Sequence, residues 1–166
     1  MLKKIHICGI YGCGKSALAK KLSKSLDIPY YSLDDIKYKI KYCEIRPIQE
    51  RINIVKKICR KEKWITEGTW SNYAEEAFKK ADLIILIRVP IYTSCYRILK
   101  RFLKRKKEKG DNLIGALKLM LQVYNYYKNE EPVSFKAHKN LIQKYKKRVI
   151  ILKNNREIAN FFNQNL

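Results

Sequence analysis

The chain has 166 residues, of which 46% are hydrophobic and 31% are charged, and its 37 Lys and Arg against 15 Asp and Glu give a formal net charge of +22. This length predicts a single domain over residues 1–166, and no apolar run approaches the roughly 18 residues of a membrane-spanning helix. No signal-peptide cleavage pattern follows the amino terminus, so we expect a soluble cytoplasmic protein whose positive charge meets an anionic partner.

Strand and helix patterns alternate from the first residues onward. Apolar runs and helical spacing predict, in order, a strand at 3–8, a helix at Lys15–Leu26, a strand at Pro29–Leu33, a helix at Ile48–Arg60 and a strand at Lys63–Thr66. The second half continues with a helix at Tyr73–Lys80, a buried strand within 81–90, a basic amphipathic helix at Tyr92–Lys107, a polar break at 108–112, a helix at Leu113–Tyr127, a strand at Arg148–Leu152 and a helix around Glu157–Phe162. Such alternation is typical of a parallel sheet covered by helices on both faces, so we predict an α/β fold.

Three of the six glycines lie within GIYGCGKSAL, residues 9–18, between the first predicted strand and the first predicted helix. Gly9, Gly14, Lys15 and Ser16 fit the pattern G-x-x-x-x-G-K-[ST] of a loop that wraps the phosphates of a nucleotide. Such a loop needs positive φ angles and close approach of backbone amides to phosphate oxygens, and a β-carbon obstructs both. The amides then act together with the positive end of the following helix on the same anion.

The motif predicts that ATP binds together with Mg²⁺. Lys15 would contact the β- and γ-phosphates as a catalytic cation, and the Ser16 hydroxyl would coordinate the metal. The predicted nucleotide-binding residues are Gly9, Gly12, Cys13, Gly14, Lys15, Ser16 and Ala17. The preference for ATP over GTP stays open, and KNNRE at 153–157 is a guess for the base pocket from its position after the last strand.

Other nucleotide-binding classes fit the sequence less well. The NKxD segment that reads guanine in GTPases does not occur, and LKNN at 152–155 resembles it only faintly. The apolar segment LIILIRVP lacks the terminal Asp of large motor ATPases, and the chain is too short for that class. A compact phosphotransferase remains, in which an acceptor binds opposite the glycine loop.

Three segments together resemble the small P-loop kinases similar to adenylate kinase, and most closely the group called DNA topology modulation proteins. These segments are GIYGCGKSALAKKLSKSLDIPYYSLDDI at 9–36, KWITEGTW at 63–70 and ADLIILIRVPIYTSCYRILKRFLKR at 81–105. The resemblance implies a P-loop NTPase three-layer sandwich with a five-stranded parallel sheet, whose five predicted strands have the order 2-3-1-4-5, and a helical lid. It also implies an acceptor-binding insertion at about 36–62 and a lid at about 92–128.

In such relatives the second strand ends in an aspartate near the acceptor, and Asp34 matches that position with Asp35 beside it. A carboxylate there can orient an acceptor hydroxyl or accept its proton, although capping of the following helix is an alternative role for both aspartates. Glu67 and Gly68 stand where the family usually has Asp-Gly. Glu67 is therefore a predicted ligand of the magnesium water shell, with a surface ion pair as its alternative role.

The segment after the fourth predicted strand carries cations at helical spacing on one side and apolar residues on the other. The cations are Arg97, Lys100, Arg101, Lys104 and Arg105, and the apolar residues are Ile98, Leu99, Phe102 and Leu103. By resemblance this segment is the lid of a nucleotide kinase, in which Arg97 and Arg101 offset the phosphate charge during transfer. Arg88 is a weaker candidate, with a structural ion pair as its alternative. The apolar side is expected to pack on the lid or the core.

These features predict a Mg²⁺-dependent kinase that transfers the γ-phosphoryl group of ATP to a nucleotide, a nucleoside or another small anionic or hydroxyl acceptor. The alternative is a nucleic-acid-binding ATPase or polynucleotide end kinase that uses the basic face 97–109. A weaker third hypothesis is a lipid-surface protein that uses the amphipathic segment 92–107. A biased genome composition would also account for much of the lysine excess, and the oligomeric state stays open.

Cysteines and histidines form no metal or disulfide pattern. The five cysteines are odd in number and lack CxxC spacing, so we expect reduced thiols. Cys13 could have a lowered pKa at the helix start, but filling of the loop is its expected role. His6 and His138 receive no catalytic role. The YNYY segment at 124–127 could stack nucleic-acid bases, yet its helical spacing favours core packing.

Overall fold

The computed structural model describes residues 2–40, 44–104, 113–128 and 133–165. Its strands are β1 (Lys4–Gly9), β2 (Tyr30–Ser32), β3 (Tyr38–Ile40), β4 (Glu44–Ile45), β5 (Trp64–Gly68), β6 (Leu83–Ile87) and β7 (Arg148–Leu152). Its helices are α1 (Lys15–Leu26), α2 (Leu33–Lys37), α3 (Ile48–Cys59), α4 (Ser71–Lys80), α5 (Ile91–Lys104), α6 (Leu113–Lys128), α7 (Phe135–Tyr145) and α8 (Asn155–Asn165).

Five of the strands form one parallel sheet in the order β2-β5-β1-β6-β7. In the numbering of the five predicted strands this order is 2-3-1-4-5, so the predicted α/β fold and its strand order are confirmed. Strand β1 lies at the centre, with Ile5 opposite Ile65 of β5 and Leu83 of β6. The glycine loop therefore leaves the sheet at the carboxyl edge of its central strand, where parallel sheets bind ligands.

Both faces of the sheet are covered because its central strands are apolar on both sides. Ile5 and Ile7 of β1 belong to the apolar cluster on one face, whereas Cys8 belongs to the cluster on the other. All residues of β6 are buried and alternate between the same two clusters. A continuous apolar run of this kind suits a strand with helices on both faces, which explains why the segment at 81–90 forms one.

The region after β2 contains structure that the sequence did not predict. The short helix α2 leads into an antiparallel β3–β4 hairpin, which Arg46 stabilises by donating to the carbonyl oxygens of Ile36 and Tyr38. Residues 41–43 and 105–112, which hold parts of the predicted insertion, lid and basic face, lie outside the described residues. The division of one domain into an insertion and a lid stays a prediction. Within the described ranges, no helix is both long and apolar enough to cross a bilayer.

A buried polar network links the sheet to helices α6 and α7. His138 Nε2 lies 3.1 Å from the Thr69 carbonyl oxygen, and Nδ1 lies 2.6 Å from the Tyr126 hydroxyl oxygen. A carbonyl oxygen only accepts, so Nε2 carries the proton and Nδ1 accepts from Tyr126. His6, also buried, has Nδ1 2.9 Å from the Thr66 hydroxyl oxygen. Burial lowers the pKa of both histidines from 6.5 to about 3, so both are neutral near pH 7.

These histidines should make the free energy of unfolding fall in mild acid. An unfolded histidine binds a proton near pH 6.5, whereas His6 and His138 in the folded protein do so only near pH 3. Their contribution is therefore complete above about pH 6.5 and is lost toward pH 3, by up to about 1.4 kcal/mol per pH unit for each. Denaturant unfolding at about pH 7, 6 and 5 measures this slope.

The variant His138→Gln removes one titrating group but keeps a donor and an acceptor. Unfolding of this variant should therefore take up about one proton fewer between pH 6.5 and pH 3, so its free energy of unfolding should fall less steeply with decreasing pH. This holds even if the variant is less stable at neutral pH. Tyr126→Phe is the control, since it loses a hydrogen bond but keeps the histidine and should keep the slope. Equal slopes for the wild type and His138→Gln would contradict the assignment.

Candidate active site

The glycine loop between β1 and α1 has the backbone geometry that its sequence predicts. Gly9, Gly12 and Gly14 have positive φ angles of 143°, 73° and 107°. A β-carbon at Gly9 would lie 2.5 Å from the carbonyl oxygen of Ile87, and one at Gly12 would lie 2.6 Å from that of Ser94. The loop therefore packs directly on the end of β6 and on α5, at positions that only glycine fits.

Helix α1 begins without a side-chain cap. Gly14 is its N-cap and offers no side chain to accept from the first amides, and no acidic residue lies in the first turn. These amides have no partners within the helix and carry partial positive charge. The loop and the helix start together present donors that suit an anion such as a phosphate.

Lys15 places its charge at the loop. The side chain is only 7% exposed, and its ammonium donates to the Ile10 carbonyl oxygen at 2.9 Å. The same nitrogen lies 5.9 Å from the centre of the Tyr11 ring. The side chain thus folds back over the loop, where its charge adds to the attraction that the amides at the start of α1 exert on an anion.

Ser16 and Glu67 meet beside the loop. The Ser16 hydroxyl donates to Glu67 Oε1 at 3.0 Å. Glu67 is 1% exposed, and its Oε2 has no hydrogen-bond partner among the described residues. Burial raises the pKa of Glu67, while the charge of Lys15 and, to a smaller extent, the Ser16 and Ser32 hydroxyls lower it.

This pair has the composition of a magnesium site. A buried carboxylate oxygen without a donor is unfavourable unless a cation approaches it. Mg²⁺ prefers oxygen ligands and usually takes only one or two from protein, the rest coming from water and phosphate. In the part of the chain that the structure describes, no group of three or more His, Cys, Asp or Glu could hold a metal. The residues fit a Mg²⁺ ion shared with a phosphate ligand.

Asp34 lies close to the loop in the first turn of α2. Its Oδ1 accepts a hydrogen bond from the indole N–H of Trp70, and its charge contributes to the raised pKa of Glu67. The Trp70 ring meets the Tyr11 ring edge to face, with centroids 6.2 Å apart, and Lys37 Nζ lies 3.9 Å from the centre of the Trp70 ring. The carboxylate that the resemblance places near the acceptor is therefore held by a tryptophan whose ring also contacts a cation.

A cavity of about 220 Å³ opens beside the Trp70 and Tyr11 rings. Its other walls are Ile10, Gln122, Asn125, Tyr126 and Val133. Asp35 instead lines a separate cavity of about 270 Å³ together with Tyr30 and Arg46. The structure thus associates Asp34, and not Asp35, with the aromatic cluster beside the loop.

Arg97 contacts the loop from α5. Its guanidinium donates to the carbonyl oxygens of Gly12 at 3.1 Å and Cys13 at 2.6 Å, and also to Asn155 Oδ1. The same side chain lines a cavity of about 400 Å³ between α1 and α8. The other residues of this cavity are Gly14, Ala17, Leu18, Lys21, Asn155, Ile158 and Ala159. Arg97 and Ala17 therefore lie together at the mouth of the predicted nucleotide site.

The other predicted cations lie outside these contacts. Arg101, one turn further along α5, is exposed, and Arg88 is exposed with its guanidinium 4.9 Å from the centre of the Phe135 ring. Within the described part of the chain, neither arginine donates a hydrogen bond to the glycine loop. Cys13 is buried, and burial raises the pKa of its thiol instead of lowering it, which agrees with a loop-filling role.

Trp70 is a site residue without a role predicted from the sequence, whereas Asn155 lies within the segment 153–157 that was guessed for the base pocket. Trp70 lies three residues after Glu67, so the end of β5 brings it to the same edge of the sheet. Asn155 follows β7, and the carboxyl ends of parallel strands meet at one edge. Position after a strand was thus a usable signal for both, but it does not identify their hydrogen-bond partners.

Comparisons with known proteins agree with the fold. No family model matches the chain. Over 91 residues it is 32% identical to the uncharacterised protein YqaC of Bacillus subtilis strain 168, a match that covers 54% of this chain and 51%, or about half, of that protein. The structure of the present chain is similar to that of a shikimate kinase from Bacteroides thetaiotaomicron, with a TM-score of 0.58 and 13% identity. The alignment covers 96% of this chain and 94% of that chain.

A second solved structure is similar along nearly the whole chain. An uncharacterised protein from Eubacterium ventriosum aligns with a TM-score of 0.52 and 17% identity, over 98% of this chain and 97% of that chain. At these identities the likeness shows the fold alone. The chain has a P-loop kinase-like α/β fold, as shikimate kinase does. None of the three proteins is described as a DNA topology modulation protein, so that finer resemblance and the roles of the site residues stay predictions.

Gly9→Ala should destabilise the folded protein. The added methyl group would clash with the Ile87 carbonyl oxygen, at a φ of 143° that other residues rarely adopt. We expect the free energy of unfolding to fall by about 1–3 kcal/mol, measured by denaturant titration. Gly14→Ala is the comparison, since its β-carbon would meet nothing nearer than the Arg97 side chain at 3.3 Å and should cost less. A larger loss at Gly14 than at Gly9 would contradict the packing of the loop on β6.

Proposed function

We propose that the protein is a kinase that transfers the γ-phosphoryl group of ATP to a small acceptor. The observation that carries the proposal is the Ser16–Glu67 pair beside a loop with three positive-φ glycines. This arrangement combines donors for phosphate with oxygen ligands for a metal. Phosphoryl transfer needs both, because charge spreads over the transferred group and must be compensated.

Each group of the loop has a separate task in this proposal. The loop amides hold the phosphates, and Lys15 exchanges the Ile10 carbonyl oxygen for oxygens of the β- and γ-phosphates. Ser16 and Glu67 hold Mg²⁺, which when bound neutralises phosphate charge and orients the transferred group. Glu67 serves in its ionised form, because a protonated carboxyl does not bind a cation.

The nucleotide base is proposed to enter the cavity of about 400 Å³ beside the start of α1. Arg97 supplies a planar cation at this cavity and Asn155 supplies an amide. Arg101, exposed one turn further along α5, is proposed to reach the phosphates when its side chain extends toward the loop. The choice between ATP and GTP depends on the same cavity.

The acceptor is proposed to bind in the cavity of about 220 Å³ beside Trp70, a size that suits a small molecule. The Asp34 carboxylate orients the acceptor hydroxyl and takes its proton as the new oxygen–phosphorus bond forms. The hydrogen bond from Trp70 keeps this carboxylate in one orientation. The acceptor oxygen then attacks the γ-phosphorus and ADP leaves.

A nucleic-acid-binding ATPase or a polynucleotide end kinase is the second candidate. The observation that favours it is that α5, which begins the basic face 97–109, has four cations and no acidic residue over Ile91–Lys104. Residues 105–109 of that face lie outside the described residues. In this case the acceptor is the 5′-hydroxyl of a strand held by phosphate contacts.

Lys15→Ala should abolish turnover, because the phosphates lose the ammonium that offsets their charge. Acceptor-dependent ADP release should fall by about 100-fold or more. The measurement is ADP release from ATP and Mg²⁺ with nucleosides, nucleotides, small hydroxyl metabolites and DNA 5′-ends as acceptors. Lys20→Ala, which changes an exposed lysine of the same helix, is the matched control and should keep the wild-type rate.

Asp34→Asn separates nucleotide binding from transfer. It should keep the affinity for ATP and lose acceptor-dependent ADP release, since the amide cannot take up the proton. Unchanged turnover in a folded Lys15→Ala variant would count against any kinase. Release that depends on DNA ends alone would select the second candidate.

Binding of a fluorescent ATP analogue with Mg²⁺ should strengthen as the pH rises through a midpoint above 4.5, the ordinary pKa of Glu. The reason is that burial raises the pKa of Glu67 and a protonated carboxyl does not bind a cation. Glu67→Gln should lose both the magnesium dependence and this pH dependence. Ser16→Ala should weaken magnesium binding but keep the pH dependence of nucleotide binding, because Glu67 is still present. A pH profile that Glu67→Gln leaves unchanged would reject Glu67 as the metal ligand.

A further inference from the structure

Exposed apolar side chains are concentrated on two helices. Of the thirteen large hydrophobic residues that are exposed in the described chain, ten lie on α5 and α6. These two helices pack against each other. Soluble domains usually scatter such residues, and their accumulation on one pair of elements marks a surface that binds something.

Helix α5 has an apolar stripe that is separate from its buried side. Tyr92, Tyr96, Leu99 and Leu103 recur at steps of three and four residues, so they share one face, and all four are exposed. The apolar side of this helix was expected to pack on the lid or the core. Ile98 is the one large apolar residue of α5 that is fully buried in the core. The four residues of the stripe remain exposed to solvent.

Helix α6 repeats this arrangement. Ile114, Leu117, Leu121 and Tyr124 share one exposed face at steps of three and four residues. The core contacts of α6 come from other positions, chiefly Val123. Both helices of the pair therefore carry one apolar face toward the core and a second one toward solvent.

The charge on these helices has one sign. Neither Ile91–Lys104 nor Leu113–Lys128 contains an Asp or Glu. Their cations are Arg97, Lys100, Arg101, Lys104, Lys118 and Lys128. Lys100 Nζ lies 5.8 Å from the centre of the Tyr96 ring, and Lys128 Nζ lies 5.3 Å from that of Tyr124. Cations thus flank the exposed stripes of both helices.

We propose that this α5–α6 surface, defined by the two stripes and their flanking cations, docks on an anionic lipid bilayer. Leucine and isoleucine side chains gain by leaving water for the boundary between head groups and acyl chains. Lysine and arginine reach the lipid phosphates from the same depth, and tyrosine favours the interface itself. The surface meets all three requirements, and the proposal does not depend on the kinase activity.

Other occupants fit less well. A second copy of the chain would bring cations against cations, in a protein whose net charge is already +22. Nucleic acid would satisfy the cations and could stack on the tyrosines, but it offers leucine and isoleucine no apolar environment. An anionic bilayer complements both the charge and the apolar area.

Vesicle flotation of the full chain tests the proposal. The wild type should float with vesicles of phosphatidylcholine and about 30% phosphatidylserine and stay at the bottom with phosphatidylcholine alone. Bound protein should decrease at about 0.5 M salt, because the electrostatic part is screened. Equal binding to both vesicle types, or none to either, would overturn the proposal.

Paired variants separate the apolar part from the charge. Leu117→Ser with Leu121→Ser changes residues that are 55% and 60% exposed, so folding should be kept, and vesicle affinity should fall by about tenfold or more. Ile48→Ser with Ile151→Ser, at residues 43% and 47% exposed elsewhere, is the control and should bind as the wild type does.

Lys100→Glu with Lys104→Glu should also weaken binding by about tenfold or more. Lys20→Glu with Lys24→Glu on α1 makes the same change in net charge at the same spacing and should have a much smaller effect. Loss of binding in the charge variant with none in the leucine variant would overturn the proposal in favour of simple adsorption. A dimer in light scattering that Leu117→Ser with Leu121→Ser dissociates would assign the surface to a second copy instead.

Discussion

Gly9 and Gly12 approach backbone carbonyl oxygens of β6 and α5 more closely than any residue with a β-carbon could. This contact fixes where the chain leaves β1 and therefore where α1 begins. The amides of the helix start, the Lys15 ammonium and the Ser16 hydroxyl are all positioned relative to that point. Glu67 reaches the same place because β5 pairs with β1 in parallel register, with Glu67 opposite Ile7.

Electrostatics at the site are balanced only in part by the protein itself. Lys15 is held by a carbonyl oxygen, and Glu67 is held by the Ser16 hydroxyl, while its second oxygen is buried without a donor from the residues that the structure describes. Burial of such a group costs free energy that the rest of the fold must supply. A cation at Oε2 would relieve this unfavourable arrangement. The burial of Oε2 thus costs stability at the edge of the sheet where the predicted nucleotide site lies.

Sequence patterns predicted the parts of the fold that depend on local periodicity. Helix α1 has the predicted bounds because the glycine loop marks its start and its apolar spacing stops at Leu26. Strand β7 has the predicted bounds because polar residues flank its apolar run. The strand order came from the resemblance to P-loop kinases, since periodicity does not state which strands are neighbours. The β3–β4 hairpin was missed because its strands have only three and two residues, too few for an alternating pattern.

Site residues divide in the same way. The loop motif predicted Lys15 and Ser16 because the spacing of its residues determines how the loop folds. The contact of Asp34 with Trp70 joins residues 36 positions apart, so no local pattern predicts it. Pairing of His138 with Tyr126 and Thr69 is equally invisible in the sequence, since it depends on three elements meeting. Periodicity also showed that Leu99 and Leu103 share a side of α5, but it could not show whether another element covers that side.

Arg97 joins three distant parts of the chain through a single planar group. One nitrogen of its fork donates to the carbonyl oxygens of Gly12 and Cys13, and the other donates to Asn155 at the start of α8. A lysine has no such fork and could not span these partners in the same geometry. Any tilt of α5 must therefore either break these bonds or move the glycine loop and the start of α8 along with it. A displacement of α5 is therefore transmitted through the guanidinium to the glycine loop and to the start of α8.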